Sequence, residues 1–182
     1  MASRHDPTTM ALHWLTAILV VLLWLSAQFI DYFPKGPARW NMVGTHMAMG
    51  VTLALLTGWR VGWRLSRRST HMPVERSTEK LARLVHVTLY VLLIASLALG
   101  LWNAWVRGEH VFNLFQIPAF EEGNKALRKW AGAQHKLFVY LLLALVGLHA
   151  LAGLAHHYIR RDAVLQRMLP RRFSTSPKAQ HP

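Results

Sequence analysis

A chain of 182 residues, 53% of them apolar and 16% charged, has the length of one domain, and its apolar residues gather into four long runs instead of spreading as a soluble core would. The absence of cysteine excludes disulfides, thiolate metal ligands, iron–sulfur clusters and thioether-linked haem, so any redox chemistry must rest on histidine. The net charge of +13 hugs the ends of the runs, which suits anionic lipid headgroups better than nucleic acid.

The runs are Ala11 to Ile30, Val43 to Val61, Leu84 to Val106 and Leu137 to Ile159. Each holds about 20 residues, which at 1.5 Å per residue covers a hydrocarbon core of roughly 30 Å. Lipid offers no partner for backbone N–H and C=O groups, so such runs must be helical. Helices are predicted at 10–31, 42–64, 80–106 and 134–160. They make an all-α, integral membrane four-helix bundle, with residues 8–172 as one domain and a basic, disordered tail at 173–182.

The first helix carries His13 one turn inside its start, and its run is too long for the apolar part of a signal peptide. Asp31 to Asn41, with Pro34, Gly36 and Pro37, reads as a tight connection to the second helix, which carries His46. A basic segment from Arg64 to Lys80 follows, with Ser77, Thr78 and Glu79 as caps for the third helix and His86 just inside it. The segment 107–134 is the longest connection; Glu121 to Trp130 is expected to form a short helix on the surface. The fourth helix carries His135, His149, His156 and His157.

The amino terminus, the segment from Arg60 to Arg83, and the tail hold 14 of the 21 basic residues, so both termini are expected in the cytoplasm. Tryptophans at run ends, Trp40, Trp59, Trp63, Trp102, Trp105 and Trp130, have the placement of interfacial anchors.

His5, His71, His110 and His181 fall in polar segments and read as solvated, whereas His13, His46, His86, His135, His149, His156 and His157 lie in or beside apolar runs, where ionisable groups are costly and point to function. His135 and His149 are 14 residues apart, which is about 320° of rotation and about 21 Å of rise, so both face one side at two depths. That is a ladder for two haems. His46, one turn below the outer end of the second helix, is level with His135 and makes the outer pair. For the inner level His13 and His86 lie at similar depths, and depth does not choose which of them partners His149. Gly50 and Gly153 each follow a histidine by four residues, which leaves a flat macrocycle room on that face. A zinc site is disfavoured, because no His pair shows i, i+4 spacing with an acidic partner. His156, seven residues beyond His149, is on the same face and suits a haem propionate or a quinone head.

The segments ALHWL around His13, NMVGTH around His46, HVTLYVLL from His86 and GLHALAGLAHHY from Gly147 to Tyr158, followed by RMLPRR, resemble the bacterial cytochrome b561 family, most of all its superoxide oxidase branch. The resemblance runs from about residue 8 to Arg172. It implies two haem b groups in a multi-pass protein of the bacterial inner membrane, with His13 and His149 as axial ligands of one and His46 and His135 of the other. His86 and His156 then become quinone or neighbouring-shell residues. In that branch periplasmic superoxide is oxidised to dioxygen and the electrons reduce ubiquinone. Among the outer bases, Arg128, Lys129 and Lys136 are the candidates for steering superoxide. The rival is a cytochrome b membrane subunit relaying electrons between quinone and a partner dehydrogenase, hydrogenase or soluble carrier.

Overall fold

The computed structural model describes residues 7–66 and 77–160. Its four helices are α1 (Pro7–Ile30), α2 (Pro37–Ser66), α3 (Ser77–Arg107) and α4 (Lys125–Tyr158), with a two-stranded ladder, β1 (His110–Val111) and β2 (Phe115–Gln116), between α3 and α4. All four helices are long and apolar enough to cross a membrane. Expectations for the tail, for His5, His71 and His181, and for the side chains at 77–79 fall outside the described residues.

Local sequence explains where the helices start and stop. Proline opens α1 and α2, where its missing N–H costs nothing. Asn124 caps α4 by accepting a hydrogen bond from Leu127 N at 2.9 Å. α3 ends on Gly108 at φ 64°, with Gly108 N donating to Trp105 O and Glu109 N to Ala104 O, the paired bonds of a left-handed glycine cap.

Every helix starts before its predicted span, α1 at Pro7, α2 at Pro37, α3 at Ser77 and α4 at Lys125. The largest correction is at α4, which starts at Lys125 and not at 134, so Lys125 to Trp130 are its first turns and not a separate surface helix. Composition marks where hydrocarbon ends, whereas a helix continues until a cap stops it. The β1–β2 ladder, pairing His110 with Gln116 and Val111 with Phe115, has no counterpart in the sequence pattern; two-residue strands are too short to show alternation.

The helices pack as two hairpins, α1 on α2 and α3 on α4, joined mainly where α2 meets α3. At mid-depth Leu53, Leu93 and Leu142 are buried, with Leu19, Val20, Leu23, Leu89 and Val146 packed against them, so all four helices contribute to one apolar layer. Outward faces are apolar too: Leu55 is 71% and Leu101 67% exposed, as lipid contact requires. Buried Thr16 and Thr57 bond back to Leu12 O and Leu53 O, which satisfies both hydroxyls within their own helices.

The 108–124 segment closes one end of the bundle. Phe120 packs against Trp102 and Trp105 at 5.1 and 4.9 Å, and His110 stacks on Trp40 at 4.1 Å. His110 therefore joins this segment to α2, in place of the solvated role expected from its polar surroundings. Gly44 of α2 lies so close to Phe112 that a Cβ would fall 2.7 Å from the Phe112 nitrogen, so only glycine admits the segment here. We refer to this end, with residues 31–36, as the loop end, and to the end with Pro7 and Tyr158 as the terminal end.

Candidate functional site

Histidines meet at two levels on opposite sides of the apolar layer. At the loop end, His46 of α2 and His135 of α4 have ring centroids 6.5 Å apart with planes at 86°. At the terminal end, His13 of α1 and His149 of α4 are 6.4 Å apart with planes at 81°. Two imidazoles facing each other across one metal ion, with each nitrogen about 2 Å from the metal and each ring centre about 1 Å further back, have centroids about 6 Å apart. Both pairs have that spacing. His86 of α3 also reaches His149, at 5.3 Å and 76°, which is roughly 1 Å too close for an ion between them.

Hydrogen bonds set the tautomers at the loop end. Ser26 Oγ donates to Leu23 O at 2.8 Å, so towards His46 Nδ1, 2.9 Å away, it acts as acceptor and the imidazole holds its proton on Nδ1. His135 Nδ1 is 3.1 Å from Ser96 O, which can only accept. Both rings therefore leave the Nε2 lone pair available, the arrangement a metal-ligating histidine needs. Gly100 of α3 makes room for His135: a Cβ there would sit 3.0 Å from the ring's Cε1.

The terminal end is arranged differently. His86 Nδ1 donates to Ala82 O at 2.6 Å and has the ligand-ready tautomer. His13 Nδ1 faces Arg60 Nη2 at 3.2 Å, and a guanidinium can only donate, so this ring carries its proton on Nε2. Spacing thus favours His13 as the partner of His149, and hydrogen bonding favours His86. A tautomer changes by moving one proton, whereas a centroid separation is set by two helices.

Among the described residues no group of three or more His, Cys, Asp or Glu side chains is arranged to hold a metal ion, so the candidate donors are imidazoles in pairs, which suits a planar macrocycle held between two histidines. Gly50 and Gly153 stand beside open space, a Cβ at either meeting nothing within 4 Å, but Gly58, Gly62 and Gly147 do the same, so glycine alone does not mark the face. His156 is half-buried near the terminal end of α4, and His157 packs on Tyr158 at 4.8 Å.

The loop-end bases divide into two groups. Arg128 lines a cavity of about 370 Å³ with Arg107, Gln116 and Glu122. Lys129 and Lys136 lie on the α4 surface and do not line it. Lys35 and Arg39 line a second cavity of about 350 Å³ with Trp40 and Glu109, where Arg39 also pairs with Asp31 at 2.9 Å. Sequence reasoning missed Ser26, Ser96, Gly100 and Arg60 as neighbours of the histidines. Each belongs to a helix other than that of the histidine it meets, and a lone sequence carries no signal for such contacts.

The profile of the family described as prokaryotic cytochrome b561 matches residues 4–171. A probable superoxide oxidase CybB of Yersinia pestis is 30% identical over 94% of this chain and 99% of its own. Cytochrome b561 homolog 1 of Escherichia coli K12 is 29% identical, covering 93% and 99%, and homolog 2 of the same organism is 31% identical, covering 91% of each.

Proposed function

We propose, from the premise that this chain belongs to the prokaryotic cytochrome b561 family, that it is a two-haem oxidoreductase which oxidises superoxide at its loop end and passes the electrons to ubiquinone. As a member of that family it is a multi-pass bacterial membrane protein of electron transfer, and proteins of the family bind haem b. In this reading residues 8–172 form its membrane domain in the inner membrane, with both termini in the cytoplasm and the loop end in the periplasm, an orientation that the distribution of Lys and Arg supports.

The observation that carries the reading is one pair geometry at two depths: 6.5 Å and 86° for His46 with His135, 6.4 Å and 81° for His13 with His149. His46 with His135 and His13 with His149 would each hold one haem b, which would supply a one-electron carrier on either side of the apolar layer. Ser26 Oγ and Ser96 O hold the loop-end imidazoles in the ligating tautomer. Arg128, Lys129 and Lys136 draw a small anion to that end. Each of two superoxide ions loses one electron to become dioxygen, and one ubiquinone takes two electrons and two protons. His156, on the face of His149 and about 10 Å beyond it, is placed to hand a proton from its imidazole to the quinone.

The name of the Yersinia relative supports superoxide as the donor. The two Escherichia coli relatives, equally similar, carry only cytochrome names, which keeps a second reading in view: a cytochrome b subunit serving a hydrophilic partner. Purified protein in liposomes with ubiquinone and a superoxide source decides between them. The proposal expects one ubiquinol per two superoxide ions consumed, slowed in His156→Ala with haem content unchanged. No superoxide-dependent ubiquinol, together with reduction by a co-purifying hydrophilic subunit, would establish the second reading.

A further inference from the structure

α2 repeats the spacing of α4 with one substitution. His135 and His149 of α4 are separated by the same 14 residues as His46 and Arg60 of α2, so Arg60 stands at the terminal-end level, on the α2 face that presents His46 at the loop end. A guanidinium occupies the place where a second histidine would complete the ladder.

The surroundings of Arg60 turn it inward. Its guanidinium carbon lies 5.4 Å from the centre of the Tyr90 ring on α3, and Nη2 reaches His13 of α1, so the side chain bridges three helices. An arginine this close to a helix end ordinarily runs its head out to the lipid–water boundary. Here Arg60 Nε is buried with no hydrogen bond, and so is Tyr90 Oη. The two groups, on neighbouring helices, interact with each other, but neither atom makes a well-formed hydrogen bond, which is expensive in any low-dielectric setting. No carboxylate of the described residues pairs with Arg60; the ion pair among them is Arg39 with Asp31, at the loop end. The contact with His13 is itself incompatible with ligation. A histidine binding iron through Nε2 carries its proton on Nδ1, and that N–H would point at an N–H of Arg60. Loading this level with His13 as ligand therefore releases Nη2 and adds a third donor in need of an acceptor.

We propose that Arg60 and Tyr90 clamp a carboxylate of the terminal-end haem: the guanidinium, bridging α2, α1 and α3, takes one propionate through its planar fork, and the tyrosine hydroxyl donates to the same group. This rests on the two-haem reading above and goes beyond it by assigning the group that seats the second haem. Haem b brings two propionates and the clamp offers donors only, so charge and hydrogen-bonding sense match. Arg64, its guanidinium carbon 5.7 Å from the centre of the same Tyr90 ring, adds positive charge one turn nearer the water. The loop-end pair, with its imidazoles held by Ser26 and Ser96, has no guanidinium bonded to either ring.

Reconstitution of the full chain with haem b and with its dimethyl ester, in which both propionates are blocked, tests the clamp. Tight and weak haem sites are read by absorbance titration and assigned with His135→Ala, which leaves only the terminal-end level. The ester should bind that level about 10-fold or more weakly than haem b in the otherwise native chain, and Arg60→Gln should lower haem b affinity to a similar extent. In Arg60→Gln the ester should cost little further, because the partner is gone. Arg60→Lys should recover part of the loss, keeping charge without the fork, and Tyr90→Phe should lose less than Arg60→Gln. If the two losses simply add, the clamp is wrong and Arg60 meets something other than a propionate, such as a lipid phosphate. If Arg60→Gln does not fold, an unchanged ester penalty in Arg60→Lys and Tyr90→Phe overturns the clamp just as well. A native chain that takes up only one haem would instead overturn the two-haem reading, independently of the clamp.

Discussion

The two histidine levels have the same pair geometry and different support. At the loop end each imidazole has one oxygen behind it, Ser26 Oγ or Ser96 O, and one partner in front. At the terminal end His149 has two imidazoles within reach, and the better spaced of them, His13, is engaged by Arg60. On the proposed two-haem reading, the loop-end level is set for ligation by neutral second partners, whereas the terminal-end level would exchange one hydrogen bond on loading. A level built the first way should tolerate the loss of distant charges, and one built the second way should depend on them.

The sharpest way to break this comparison is to remove ligands. His46→Ala or His135→Ala should abolish the loop-end haem, and His13→Ala or His149→Ala the terminal-end one, each leaving about one haem per chain by alkaline pyridine spectroscopy. His86→Ala should keep both. If His86→Ala lost a haem and His13→Ala did not, His86 and not His13 would be the partner of His149.

Next in size is Gly100→Leu. A Cβ at Gly100 already comes within 3.0 Å of His135, and a branched side chain must displace the ring. Loss or a high-spin change confined to the loop-end haem is expected; an unaltered spectrum would mean that His135 sits elsewhere in the loaded protein. Ser26→Ala should be milder, weakening the loop-end haem by about 10-fold to 100-fold without touching the other, as removal of an outer-shell partner generally does. Equal loss at both levels would show that the serine acts through packing of α1 on α2.

The smallest effect expected is on encounter rate. Neutralising Arg128, Lys129 and Lys136 together should slow superoxide-driven haem reduction by roughly 10-fold at low salt, with the difference shrinking as the Debye length falls to about 8 Å at physiological salt. Since Arg128 lines a cavity and the two lysines do not, Arg128→Gln alone should account for the part that salt does not erase. A rate indifferent to all three would leave the loop end without anion steering and favour the partner-subunit reading.

Much of this is legible in the sequence because it repeats. The four helices show as uninterrupted apolar runs, and His135 with His149 shows as two groups on one helix face, since 14 residues nearly complete four turns. What is not legible depends on contacts between helices. Nothing in the letters around Gly100 says that the His135 ring lies against it, and Ser26 is one hydroxyl among several in apolar runs until α1 is laid on α2. Arg60 reads as one more base at a helix end, and its burial against Tyr90 emerges only when α2 meets α3. The start of α4 escapes a sequence reading for a simpler reason: Lys125 to Lys136 is polar enough to look like a connection, yet the Asn124 cap begins a helix there.

The central claim, that two near-perpendicular imidazole pairs each hold a haem, is tested most directly by electron paramagnetic resonance of the fully oxidised, haem-loaded chain with spin quantification. Ring planes at 86° and 81° predict two low-spin ferric signals of the strongly anisotropic kind, equal in spin count and together amounting to two per chain. A single low-spin signal per chain, or a high-spin signal from an iron lacking its second imidazole, would contradict it.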